Sequence, residues 1–290
     1  MPDTDTGRTS PAYNPPTSEA SLGSAVSADS SPTPTGTLLK ADTLVRHFGG
    51  VAAVDGCSFE ISRNTITGLI GPNGAGKTTT VNLISGAIRP GSGHVIFDGD
   101  DVTGFAPHRL AAKGLIRTFQ ISREYKSMTV LENLMASPRN QAGEKLFNVF
   151  FRSGAYKAEE RRHLERSLEV LDDFGLYAKR NDYAGNLSGG QKRLLELARA
   201  VMAEPKLLLL DEPMAGINPA LVDKVTEHII AMRDTLGVTF LVVEHNLEVV
   251  ERMCDHVIAM ALGSTLATGT MAQLRANQAV VTAYLTGGEA

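Results

Sequence analysis

Three short stretches hold side chains suited to phosphate binding and proton transfer: Gly71-Pro-Asn-Gly-Ala-Gly-Lys77-Thr78-Thr79, the acidic pair Asp211-Glu212, and Glu244-His245. In the first, Gly71, Gly74 and Gly76, around Pro72, Asn73 and Ala75, let the chain turn with its N–H groups facing inward. Lys77 can reach the outer phosphates of a nucleoside triphosphate, Thr78 can hold Mg2+, and the helix opening at Thr79 adds positive potential. Asp211 is placed to assist the ion, directly or through water. Glu212 is then free to orient or deprotonate an attacking water. His245 can contact the same phosphate and polarise the reaction, although a histidine at a strand end, taken alone, reads as a structural one.

A fourth stretch, Leu187-Ser188-Gly189-Gly190-Gln191, precedes a helix whose Leu194, Leu195, Ala198, Val201 and Met202 fall on one face. Ser188 and Gln191 have capping-box spacing, so the stretch reads on one side as a well-capped helix. The two glycines argue otherwise, because they weaken a helix yet bare its first N–H groups to an anion. Since the Gly71 loop already holds phosphates, the economical expectation is that this helix start meets a nucleotide held by another copy.

These residues need elements to position them. The apolar run Ile66–Ile70, the loop and the following helix give the order strand, phosphate-binding loop, helix. Leu207–Leu210 and Val238–Val243 are uninterrupted apolar runs, suited to parallel strands buried on both faces, with Asp211, Glu212, Glu244 and His245 at their carboxyl ends. Alternation over Ser58–Ile61 and His94–Phe97 predicts a short antiparallel β section ending near Asp98. Residues 124–184 read as a mainly helical subdomain inserted into the first, with Leu164, Leu168 and Leu171 at helical spacing. Residues 1–36, rich in Pro, Ser, Thr, Ala and Asp, are expected to be a disordered tail before a folded unit over 37–290. No internal repeat is present.

Composition excludes several classes. A net charge of −4 over 290 residues offers no broad attraction to nucleic acid. Cys57 and Cys254 have no partner in a metal spacing and read as small apolar residues. The longest apolar runs fall far short of the roughly 20 residues that a membrane span needs. Any service to a membrane is therefore expected from outside the lipid.

From about Leu38 to the C-terminus the chain resembles the ATP-binding subunit of an ABC transporter. Gly71–Thr78 resembles the Walker A motif, Gln120 in Arg117-Thr-Phe-Gln120 the Q-loop, and Leu187–Gln191 the ABC signature. Leu207–Asp211 with Glu212 is similar to Walker B and its catalytic glutamate, Ala215–Asn218 to the D-loop, and His245 to the switch histidine. Phe48, before Gly49-Gly50, is similar to the aromatic on which the family stacks adenine.

The resemblance implies an α/β P-loop NTPase core with an antiparallel β subdomain and an inserted helical subdomain over about 124–184, closed by a C-terminal helix and tail over about 270–290. It also implies ATP and Mg2+ as cofactors, with Thr78, Gln120 and Asp211 at the ion and Glu212, His245 and Gln120 in catalysis. The implied partners are a second ABC ATPase subunit, paralogue or self, in a head-to-tail dimer, two membrane permeases and, indirectly, a solute-binding protein. The implied place is the cytoplasmic face of the cell membrane. Arg117–Gln120, Met128–Leu134, Asp211–Pro219, Val243–Asn246 and the ending Val280–Leu285 further resemble the branched-chain amino acid importer group, although Thr286 intervenes before Gly287. Urea and short-chain amide importers and an ATPase of lipopolysaccharide export share nearly the same features. A soluble ABC ATPase of translation or repair, or a P-loop kinase, is the alternative from a different class.

Overall fold

The computed structural model describes residues 36–118, 124–138 and 153–285. Strands β1 (Thr37–Phe48) and β2 (Val51–Ser62) pair antiparallel, and β4 (Ser92–Phe97) and β5 (Asp100–Asp101) extend the sheet in the order β2-β1-β4-β5. Cys57, Phe59 and Ile61 are buried while their neighbours face out, as alternation requires of a sheet with one covered face. The hairpin is longer than the alternation of Ser58–Ile61 marks. Register shifts at several points along it break the two-residue period and hide the rest from a pattern reading.

The second sheet joins β3 (Ile66–Ile70), β6 (Leu115–Arg117), β7 (Leu207–Asp211), β8 (Thr239–Val243), β9 (His256–Ala261) and β10 (Ser264–Gly269) in the order β10-β9-β3-β8-β7-β6. All its pairings are parallel except β9 with β10. Every residue of β3, β7 and β8 is buried, which explains their unbroken apolar runs. Along β7 and β8, Leu207, Leu209, Leu241 and Val243 join a core with the antiparallel sheet and with Val81, Leu83 and Ile84 of helix α1 (Lys77–Ile84). Their alternates Leu208, Leu210, Phe240 and Val242 face a second core. Each such side chain contributes about 1.5–3 kcal/mol by leaving water.

Helix α2 (Pro107–Lys113) leads into β6. Between β6 and β7, which are neighbours in the sheet, the described residues make α3 (Val130–Met135), α4 (Ser153–Asp173), two short 3-10 turns and α5 (Gly189–Met202). Val130 and Leu134 of α3, Val170 and Leu171 of α4, and Leu194 and Leu195 of α5 share the second core with Val225 and Ile229 of α6 (Pro219–Leu236). The buried stripe of α4 is rotated from the one its leucines suggest: Leu164 is exposed, while Ser167, Val170 and Leu171 are buried. The stripe follows what α4 packs against, and Ser167 is small enough to lie at that contact.

The chain closes with α7 (Leu247–Met253), the β9–β10 hairpin, α8 (Met271–Ala276) and α9 (Gln278–Leu285). Val280 of α9 packs in a third cluster with Ile70, Val250 and Val257. One turn on, Tyr284 lies by the Gly71 backbone, and partial burial pushes its phenol up to about 12. Among the described residues no helix is long and apolar enough to cross a membrane.

Candidate functional site

Register brings the chemistry together. Val243 of β8 pairs with Leu69 of β3 on one side and with Asp211 of β7 on the other, so three adjacent parallel strands end level. The Gly71 loop, Glu212 and His245 all emerge from these ends.

Two glycines of the loop are fixed by close packing. A Cβ on Gly71 would stand 2.3 Å from the Met260 carbonyl oxygen, and one on Gly76, which caps α1 at φ 95°, would stand 2.5 Å from that of Ala53. Lys77 closes the loop on itself, its Nζ donating to the carbonyls of Gly71 at 2.7 Å and Pro72 at 2.9 Å. Burial pulls the Lys77 pKa down, while the charges of Glu212 and Asp211 oppose that pull. A cavity of about 350 Å3 lies over the loop, walled by residues 73–79, Val51–Ala53, Glu212 and His245. Phe48 pairs across the hairpin with Val51 beside this cavity; it is 48% exposed, with the Arg46 guanidinium 5.1 Å from its ring centroid. Phe48 is thus no core residue.

Asp211 is 2% exposed, and Arg117 Nη2 donates to its Oδ2 at 2.8 Å. Glu212 adopts a left-handed backbone, φ 49°, held by its amide donating to the Val243 carbonyl and by Arg193 Nη2 donating to its own carbonyl at 3.1 Å. Its carboxylate Oε1 lies 2.9 Å from His245 Nε2. Glu244 plays a different part: its carboxylate accepts from the amides of Met214 at 2.9 Å and His245 at 3.2 Å, and burial raises its pKa. It fixes the backbone on either side of the Glu212–His245 pair.

Ser188 caps α5 with both bonds of a capping box: Gln191 N donates to Ser188 Oγ, and Ser188 N to Gln191 Oε1. The two glycines differ. A Cβ on Gly190 would fall 1.7 Å from Leu221 Cδ2 of α6, so a larger residue there must displace that side chain, whereas Gly189 faces open space among the described residues. None of Ser188–Gln191 lines the cavity over the Gly71 loop of the same chain. Gln120 lies outside the described residues, as do residues 1–35, Thr286 and Gly287.

Two arginines outside the phosphate loop brace these residues. Arg117 Nη1 reaches Asn82 Oδ1 at 2.5 Å and Ser85 Oγ at 3.3 Å, besides its bond to Asp211. Arg193, buried on α5, donates to the carbonyls of Pro213 at 2.9 Å and Glu212 at 3.1 Å and pairs with Glu196 at 2.6 Å. The available signal was a cation inside an apolar strand or on an apolar helix face, which demands an oxygen partner.

Thr78 and Asp211 suit Mg2+, since both offer hard oxygen and Arg117 engages only Oδ2 of the carboxylate. Among the described residues no group of three or more His, Cys, Asp or Glu side chains could hold an ion. The protein side of such a site is sparse, which leaves positions for phosphate oxygens and water.

Comparison with known proteins bears on this arrangement. Residues 54–215 match the family described as ABC transporter. The probable branched-chain amino acid transport ATP-binding protein LivG of Archaeoglobus fulgidus is 41% identical over 248 residues, covering 86% of this chain and 95% of that protein. The high-affinity branched-chain amino acid transport ATP-binding protein BraF of Pseudomonas aeruginosa is 38% identical over 253 residues, covering 87% and 98%. A solved ATP-binding cassette of an ABC transporter in its ADP conformation matches with a TM-score of 0.73 at 34% identity, over 87% of this chain and 99% of that one.

Proposed function

Because this chain belongs to the ABC transporter family, as an ATP-binding cassette that hydrolyses ATP to power transport, we propose that it drives import of branched-chain amino acids. The observation that carries this reading is the match to LivG and BraF along nearly their whole length, at 41% and 38% identity.

In this reading the Gly71–Thr79 loop cradles the phosphates, Lys77 leaves its loop carbonyls for the outer phosphates, and Phe48 stacks on the adenine. Thr78, Asp211 and Gln120 would hold Mg2+, which when bound neutralises charge on the phosphate oxygens. Glu212 takes a proton from the attacking water or orients it, and His245, 2.9 Å from Glu212, holds that carboxylate and meets the γ-phosphate. Ser188, Gly189, Gly190 and Gln191 close on the ATP of a second cassette, paralogue or self, head to tail. The open space at Gly189 supports this: no neighbour in its own chain requires a glycine there.

The described helices within residues 124–184 are the face that meets two permeases at the cytoplasmic face of the membrane, and a solute-binding protein acts through them. Exposed Tyr125 and Tyr183 support this docking face, and Thr129 bridges to Tyr183. Uptake of labelled leucine, compared between cells lacking this protein and cells carrying it, tests the proposal. Loss of leucine uptake is expected; unchanged leucine uptake with lost urea uptake would reject the solute while leaving the ATPase in place.

A further inference from the structure

Arg117 ends β6, next to the strand that ends in Asp211. Its guanidinium makes three contacts on two elements: Asp211 Oδ2 at 2.8 Å, Asn82 Oδ1 at 2.5 Å and Ser85 Oγ at 3.3 Å. Thr78, Asn82 and Ser85 are spaced by four and then three residues, so they share one face of α1 and its C-cap. The helix face that presents Thr78 is thereby latched to the strand that presents Asp211.

The latch is not built for stability alone. Among the described residues buried Arg117 Nε finds no hydrogen-bond partner, a cost that a purely structural site tends to avoid. Asp211 is almost fully buried, and its charge already acts on Lys77.

We infer that Arg117 is a positioning residue for Mg2+: it fixes Asp211 relative to Thr78. This rests on the reading of Thr78 and Asp211 as the residues that hold the ion.

Binding of a fluorescent ADP to the full chain, titrated with Mg2+ from an EDTA-buffered start, tests it without turnover. Wild-type binding should tighten with Mg2+, and Arg117→Gln should raise the half-effective Mg2+ concentration by about tenfold or more, the usual scale for losing support of a metal ligand. Asn82→Ala keeps the Arg117–Asp211 pair but frees it from α1, and should shift the same midpoint severalfold with a near-normal melting temperature. If both variants melt lower while the Mg2+ midpoint stays put, Arg117 is a structural ion pair and the inference fails. Should Arg117→Gln not fold, an unshifted midpoint in Asn82→Ala overturns it alone. A wild-type chain whose ADP binding ignores Mg2+ would instead remove the ion site itself, and this inference with it.

Discussion

Glu212 sets a carboxylate at the cavity mouth by holding a backbone that L-residues avoid, at about 1–2 kcal/mol. Val243 and Arg193 hold that turn through its amide and carbonyl, so the side chain meets His245 without relying on its own flexibility. Glu212→Gln keeps size and backbone but loses the base. It is expected to retain the rise in melting temperature given by Mg-ATP while turnover falls about a hundredfold or more. Phosphate release and thermal melting on the same preparation measure both. Near-normal turnover would move the role to His245, because the Glu244 carboxylate is occupied by the amides of Met214 and His245. Asp211, Glu212 and His245 were legible in the sequence because each follows an unbroken apolar strand. Arg117 and Arg193 were not: apart from Glu196, their oxygen partners come from elements distant in the chain, and only the fold decides which oxygens such a cation meets.

Among the elements, α5 separates two glycines that look alike in the sequence. Gly189→Ala adds a Cβ in open space and should leave the isolated chain as stable as before or up to about 1 kcal/mol more so, while Gly190→Ala must displace the Leu221 side chain and should be the less stable of the two. Urea melts of the two variants compare them directly. A destabilised Gly189→Ala would mean that its own chain needs that glycine. A second prediction concerns Asp98, which joins Arg63 at the end of the antiparallel hairpin to Lys206 just before β7. Hydrogen bonds from Lys206 and Arg63 hold its carboxyl at about 2 against an ordinary 3.8. A depressed carboxyl stabilises the fold above its unfolded pKa, so this contribution is complete above about pH 4 and drains away as the pH falls toward 2. Asp98→Asn should lower the melting temperature at pH 7 and flatten the acid limb in that window; parallel acid limbs in variant and wild type would refute the assignment. Strands β3, β7 and β8 could be read directly because burial on both faces leaves no polar interruption. The hairpin of two twelve-residue strands and the α4 face could not, since register shifts and a buried serine overrule the simple period.

At the scale of the molecule, the order of motifs along the chain predicted an α/β core interrupted by a helical insert, and β6 and β7 lie side by side with that insert between them. The order of strands in space had no such signature, because parallel neighbours need no short turn to announce them. That order carries a consequence for biosynthesis. β3, whose five residues are all buried, leaves the ribosome early, yet its two neighbours hold Phe240 and His256, made when most of the chain is already out. The same delay applies to the last helix, whose Tyr284 lies by Gly71. A nascent chain therefore carries an unpaired apolar strand through most of its translation, the kind of exposed edge that invites aggregation. Chains stopped before Thr239 should sediment and fail to bind nucleotide, whereas chains released after Leu285 should stay in the supernatant and bind it; a soluble, nucleotide-binding short chain would show that β3 finds cover without β8 and β9.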